Sequence, residues 1–332
     1  MSDEVLGVKK RRKVPDIIFK SSVEEKEHCQ QKQIDRVQRE KAGRVQAEQN
    51  KDLPKNRLKG YPHKEFGRNE AYAYRQNKKV FIPESEHFTR IGVRTFKNKT
   101  YAAEIVIPEG VTAIGEEAFM GCTALRRVVL PETLVSIGTA AFSGCTSLRE
   151  IVIPENVTRI EEKTFKDCKK LSKAVLPENM VYIGRKAFYN CEMLSKIQFP
   201  DKLVEIQEGA FIRCKSLKNL ELPRGLRHIL DETFIDLAIE TLNIPPNIES
   251  IGIKSFFRCR HLTHVTIPEN ITYIDDWVFH GCNRLKTIKI LHDPEFMGEW
   301  LTNRSTTFQC IKGSKVDEYC DQFGYEREYV EE

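Results

Sequence analysis

Apolar positions along this chain recur at a fixed period. Phenylalanine falls at Phe96, Phe119, Phe142, Phe165, Phe188, Phe211, Phe234, Phe256 and Phe279, in seven steps of 23 residues and one of 22. Each unit reads P-x-x-Φ-x-x-I-G-x-x-A-F-x-x-C-x-x-L-x-x-Φ-x-Φ, where Φ is aliphatic. Self-similarity at a period of about 20 to 50 residues marks a stacked-repeat architecture. The closing apolar pair, Ile151 and Ile153 or Val265 and Ile267, alternates with other residues and predicts a short strand with one buried face. Phe142, Cys145 and Leu148 stand three apart, so a tight 3₁₀-like turn aims all three inward. Pro131, Pro154, Pro177, Pro200 and Pro223 end the strands, where proline removes a ladder donor and forces a corner. Gly115, Gly138, Gly184 and Gly252 are read as supplying a positive φ at the next corner. One such unit cannot enclose its own apolar side chains; a stack of them buries a continuous strip.

The motif L-x-x-Φ-x-Φ-P…I-G-x-x-A-F-x-x-C resembles the BspA-like subclass of leucine-rich repeats, over roughly Val80 to Ile290. The resemblance implies a β-rich, right-handed leucine-rich-repeat solenoid of about nine coils of 22 to 25 residues. It also implies that the variable outward sheet face is the binding surface. The unit around Phe234 departs from the pattern, with Leu237 in place of Cys and Leu230 in place of Gly, and a local irregularity is expected there. After Ile290 the period breaks, and TFQCIKGSKVDEYCDQFGYEREYV reads strand, helix, strand. Ser314 is a natural N-cap, Val316, Tyr319, Cys320 and Phe323 form one helical face, and Gly324 can end the helix. This stretch is similar to the GS-x-x-x-x-Y unit that closes BspA-like arrays, so residues 291–332 are expected to cap the distal core.

Residues 1–79 differ from the rest. Through Val80 there are 21 Lys and Arg against 12 Asp and Glu, leaving 32 against 36 in the remainder. A basic extension thus precedes a mildly acidic solenoid, expected over residues 80–290. Lys9–Lys13 reads KKRRK, a solvated tail or a short run for nuclear import, nucleic acid or an anionic surface. Ser22 to Asn50 has a helical composition with only a thin apolar stripe. Tyr61, Phe66, Tyr72 and Tyr74 lie among basic residues. Aromatics so placed suit either a terminal cap on the solenoid or a single-stranded nucleic-acid platform.

No apolar run of about 18 residues is present, and MSDEVLGVKKRRK lacks the apolar core of a secretory signal. A cytoplasmic setting is therefore expected, although BspA-like proteins are often bacterial surface or secreted adhesins. Seven of the ten cysteines, Cys122, Cys145, Cys168, Cys191, Cys214, Cys259 and Cys282, share one repeat position. Stacking gives them parallel side chains, poor geometry for disulfides, so a ladder of buried thiols in a reducing compartment is expected. Nucleotide-binding, hydrolase and zinc-protease motifs are absent. Cys259, His261, His264, His280 and Cys282 have ligand chemistry suited to zinc, but both cysteines belong to the repeat column, so no metal or other cofactor is expected.

The outward strand positions do not repeat as the core does. Arg126, Arg127, Arg149, Lys173, Lys196, Lys218, His264 and Lys286 make that face polar and basic, with few aromatic anchors. Arg126, Arg127 and Arg149 are expected to form one guanidinium patch, answered by Glu132, Glu150 and Glu155 if it is merely solvated. The function this favours is non-enzymatic binding of a protein partner through the sheet face. The alternative is nucleic-acid association through the basic N-terminal 80 residues, with the solenoid as scaffold. The identity of the partner and the oligomeric state are left open by the sequence.

Overall fold

The computed structural model describes residues 64–73, 75–76, 79–83 and 87–331. The basic run at Lys9–Lys13, the helical composition of Ser22–Asn50, Tyr61 and Tyr74 lie outside the described residues. What is described is a parallel β-solenoid of about eleven turns, each laying down one short strand on either side. Between coils, pairing runs one turn ahead: Arg159 lies beside Tyr182, and Lys173 beside both Glu150 and Lys196. Nine turns are the units counted from the phenylalanines. The other two lie at the ends, where the consensus fails: Lys64–Phe66 pairs with Phe88–Ile91, and Phe296–Met297 with Tyr273–Ile274.

Phe, Cys and Leu point inward as the spacing requires. Within each turn the Cys122 N–H donates to the Phe119 carbonyl at 3.1 Å, and the Leu125 N–H to the Cys122 carbonyl at 3.0 Å. All three side chains are fully buried. The rings stack in one column from Phe66 to Phe279, with centroids 5.0 to 5.8 Å apart.

The expectation for the I-G glycines is corrected. Gly115, Gly138, Gly184 and Gly252 do not have positive φ. They are small because consecutive coils touch there: a Cβ on Gly138 would lie 2.6 Å from the Glu116 nitrogen. The left-handed residues stand instead two before and two after each Phe, as at Glu117 (φ 52°) and Gly121 (φ 71°), or Lys163 (57°) and Asp167 (60°). This conformation costs an L-residue about 1 to 2 kcal/mol. In return it turns alternate N–H groups toward the next coil. Glu117, Phe119 and Gly121 donate to Thr139, Ala141 and Ser143 at 2.9, 2.8 and 2.7 Å. The turns thereby make a third hydrogen-bonded column beside the two strand columns.

Each strand column is divided in three, and the second division falls at the irregular unit around Phe234. Its turn reads Phe234, Leu237, Ile239, all buried, where siblings read Phe, Cys and Leu at steps of three. The missing residue thus lies between Leu237 and Ile239. Strand pairing there shrinks to a Glu221–Asn243 bridge, yet the Phe211 and Phe234 N–H groups still donate to Thr233 and Ser255 at 2.9 and 2.8 Å. The coil is bent, not lost.

The C-terminal cap folds as its sequence reads. Ser314 accepts from the Asp317 N–H, the helix runs Lys315–Phe323, and Gly324 closes it at φ 70°. Glu326–Tyr329 then adds the last parallel strand beside Thr307–Cys310. Tyr319 and Tyr325 seal the core, their hydroxyls donating to the Gly298 and Thr302 carbonyls at 3.0 and 2.9 Å.

At the opposite end Phe66 does the corresponding work. It is fully buried, stacks on Phe96 and meets Phe88 edge-on at 5.0 Å. The stack therefore takes in residues that precede the composition break near Lys79. A chain beginning at Lys64 should melt cooperatively, with strand-rich circular dichroism. One beginning at Lys79 should melt several degrees lower, because truncating a buried Phe contact costs about 3 to 5 kcal/mol. Equal melting temperatures would show that Phe66 contributes no cap.

Candidate functional site

The outward strand positions form columns along the solenoid. In the first, Glu104 registers with Arg127, and Glu150 with Lys173, which in turn registers with Lys196. The Arg127 guanidinium donates to Glu104 at 3.3 Å and the Lys173 ammonium to Glu150 at 2.7 Å. Such exposed pairs contribute about 0 to 1 kcal/mol each. Arg126 and Arg149 occupy the adjoining column on neighbouring coils, where the Arg149 N–H donates to the Arg126 carbonyl at 3.4 Å. Neither has an ion-pair partner among the described residues. The expected patch of three arginines is therefore divided: Arg126 and Arg149 share a column, while Arg127 is set beside Glu104. Lys218 is exposed on the coil where pairing fails, His264 hydrogen-bonds Thr287 through Nδ1 at 2.7 Å, and Lys286 is exposed on the next coil. From Arg126 to Lys286 these residues span seven coil spacings, about 34 Å at the interstrand distance. They make an extended face and not a pocket.

Two features of this face escape a reading that treats its centre as polar. Val106 registers with Val129, and Val152 with Val175, so one outward column is apolar on four successive coils; Val152 is 54% exposed. At the corner beyond it, the residues after Pro108, Pro131, Pro154, Pro177 and Pro200 give a row of exposed carboxylates: Glu109, Glu132, Glu155, Glu178 and Asp201. Glu109 accepts the Glu132 and Thr133 N–H groups at 3.0 and 3.2 Å. The other four have no ion-pair partner among the described residues, so neither Glu132 nor Glu155 pairs with the arginines. Both rows were visible as repeat positions; what was missing was which positions share an exposed surface.

Other concavities are slight. Beside the short coil, Thr241, Asn243, His264, Thr266 and Pro268 line a shallow hollow of about 310 Å³. On the opposite sheet the Arg159 guanidinium lies over the Tyr182 ring at 3.7 Å, with Glu205 registered next to it. Burial, then the Glu205 carboxylate, pushes the Tyr182 phenol up to about 12, and burial raises the Glu205 carboxyl. Among the described residues no group of three His, Cys, Asp or Glu is placed to hold a metal ion, and no helix is long and apolar enough to cross a membrane.

Comparison with known proteins sets this geometry in a family. The BspA-type leucine-rich repeat region matches in six copies, over residues 68–195 and 181–308. The chain belongs to the BspA-type leucine-rich repeat family. A leucine-rich repeat protein from Bacteroides ovatus is similar in structure, with a TM-score of 0.54 and 25% identity over 69% of this chain and 68% of that one. The leucine-rich repeat protein of T. pallidum aligns over 77% of this chain and 96% of its own, at 24% identity and a TM-score of 0.46. Comparison with curated proteins finds no match.

The BspA-type cysteine has a definite bond here. Each of the seven ladder thiols donates to the carbonyl of the Phe one coil back, at 3.1 to 3.3 Å. For five of the seven, Phe119, Phe142, Phe165, Phe188 and Phe256, that carbonyl also accepts the N–H of its own turn's Cys, so both lone pairs are used; the Phe96 carbonyl takes the Lys99 N–H instead. Cys259 and Cys282 are committed in this way, which separates them from the imidazoles nearby. Burial pushes the Cys122 thiol up to about 12 and raises Cys145, Cys168, Cys191, Cys214 and Cys259 as well.

Because the thiolate is the nucleophile, these six should resist a thiol reagent in the native protein and react once denaturant is added. Their raised folded pKa also sets a pH window. Stability is intact below the unfolded thiol value of about 8.5. Above it the unfolded chain releases protons that the folded chain keeps. Stability should therefore fall by up to roughly 1.4 kcal/mol per thiol per pH unit until the folded value is reached. A melting temperature flat from pH 8 to 10, or rapid native labelling, would contradict this.

Proposed function

We propose that this BspA-type chain is a non-enzymatic scaffold that binds a protein partner through the outward strand face. Arg126, Arg127, Arg149, Lys173, Lys196, Lys218, His264 and Lys286 are its basic contacts. One observation carries the reading: core positions repeat coil after coil, whereas outward positions along the same strands differ from coil to coil. A core must repeat to stack, and a surface need not, so the variation is free to encode a partner. Hydrophobic, long-range stacking also leaves little room for catalytic pairs, and the family and fold are typically non-enzymatic. Seven unbridged thiols suit a reducing compartment.

The competing reading, nucleic-acid association, rests on the basic excess through Val80. Salt separates the two. Phosphate contacts weaken linearly with log salt, by about 0.9 in the slope per phosphate neutralised on duplex DNA. Affinity capture with the full chain should return a protein whose binding is only weakly salt-dependent. Changing Arg126, Arg127 and Arg149 together to Ser should leave the melting temperature nearly unchanged, since no core position is touched. Binding should weaken at least tenfold, about 1.4 kcal/mol. An unchanged dissociation constant would remove these three residues from the site, and a steep salt slope with nuclease-sensitive capture would favour the nucleic-acid reading.

A further inference from the structure

On this face the sign of the charge changes across a line of valines. The chain reads Arg126, Val129, Glu132 on one coil and Arg149, Val152, Glu155 on the next. The following coil continues with Ser172, Val175 and Glu178. Arg126 and Arg149 lie on one side of the valine row; Glu132, Glu155, Glu178 and Asp201 lie on the other, without ion-pair partners among the described residues. Between the arginines and the valines, the Glu104–Arg127 and Glu150–Lys173 pairs neutralise each other. A basic row, an apolar row and an acidic row thus run side by side along the solenoid.

We propose that this face binds a second copy of the chain, with the two valine rows in contact. A two-fold axis parallel to the valine row turns one face onto the other and reverses the order of the outer rows. Arg126 and Arg149 then meet Glu132 and Glu155 of the second copy, and the reverse pairs form by symmetry, as an isologous interface requires. An in-plane axis at right angles to the row would set carboxylates against carboxylates, so charge selects the arrangement with parallel solenoids. A uniformly acidic or uniformly basic partner would satisfy one outer row and be repelled by the other; the chain itself satisfies both. Guanidinium–carboxylate pairs add geometric specificity to the apolar contact. Five coils at about 4.8 Å, by the seven residues from Arg126 to Glu132 (a three-residue strand and its flanks) at about 3.3 Å, give at most roughly 500 Å² per copy. The total of about 1,000 Å² is near the lower bound of a specific interface, which points to a reversible dimer.

This inference rests on the strand face being the binding surface, and its test separates the two ideas. Sedimentation equilibrium of the full chain from about 1 to 100 μM should show a monomer–dimer equilibrium. Val152→Lys should weaken it at least tenfold, as should Arg149→Glu or Glu155→Arg alone, with melting temperatures recorded to show that each variant is folded. Arg149→Glu combined with Glu155→Arg should restore the dimer, because each reversed charge meets its reversed partner. A monomer throughout, a dimer indifferent to all the variants, or no recovery in the double reversal would each overturn the proposal. If the chain is monomeric while affinity capture still returns a partner lost in the triple arginine variant, the binding face survives and the dimer does not.

Discussion

Everything in this solenoid depends on each turn placing the same atoms over those of the turn before. Phenylalanine rings 5.0 to 5.8 Å apart cannot stack unless the backbone beneath them advances by one interstrand spacing per repeat. The thiol at the Cys position enforces the same register from inside, by donating to the Phe carbonyl one coil back. A residue without a donor would leave that carbonyl with one bond fewer in an apolar interior, where an unmet bond is costly. The larger Leu237 does occupy this position, in the coil that is one residue short. Cysteine is small, apolar and able to donate, which accounts for its recurrence where no disulfide forms.

The short unit shows how far this constraint reaches. Removing one residue between Leu237 and Ile239 shifts the following strand relative to the turn, and with it the strand pairing. The turn column survives because the Phe and its left-handed neighbours, Glu232 and Asp236, still hold their places. A solenoid can thus absorb a deletion on one of its three hydrogen-bonded columns while the other interactions keep the stack closed. The shallow hollow at Thr241, Asn243 and His264 lies beside that defect.

The same stacking arranges the surface. Because every unit repeats, any bias at one outward position becomes a row. Valine two residues after the first outward position becomes an apolar line, and the acidic residue after proline becomes an acidic ridge. Among the described residues the acidic row has no ion-pair partners, whereas the column between valines and arginines is largely self-neutralised. Solvent exposure keeps those pairs weak, so they shape the potential of the face more than the stability of the fold.

The sequence alone determined the repeat, its inward residues, the defective unit around Phe234 and the closing helix with both its caps, because each depends on local spacing and on which side chains can be buried. It also held an unread signal for the left-handed turns. Two residues after the Phe, Asn98, Gly121, Gly144, Asp167, Asn190, Asp236 and Gly281 are the residue types that tolerate positive φ. The I-G glycines gave the opposite lesson, since their smallness answers a neighbouring coil that only the folded chain brings near. The extra turns at either end, the division of the arginines and the side-by-side rows were decided by tertiary structure. Register between coils is set by hydrogen bonds and ring stacking between residues more than twenty positions apart, and no local pattern records which outward side chains those contacts make neighbours.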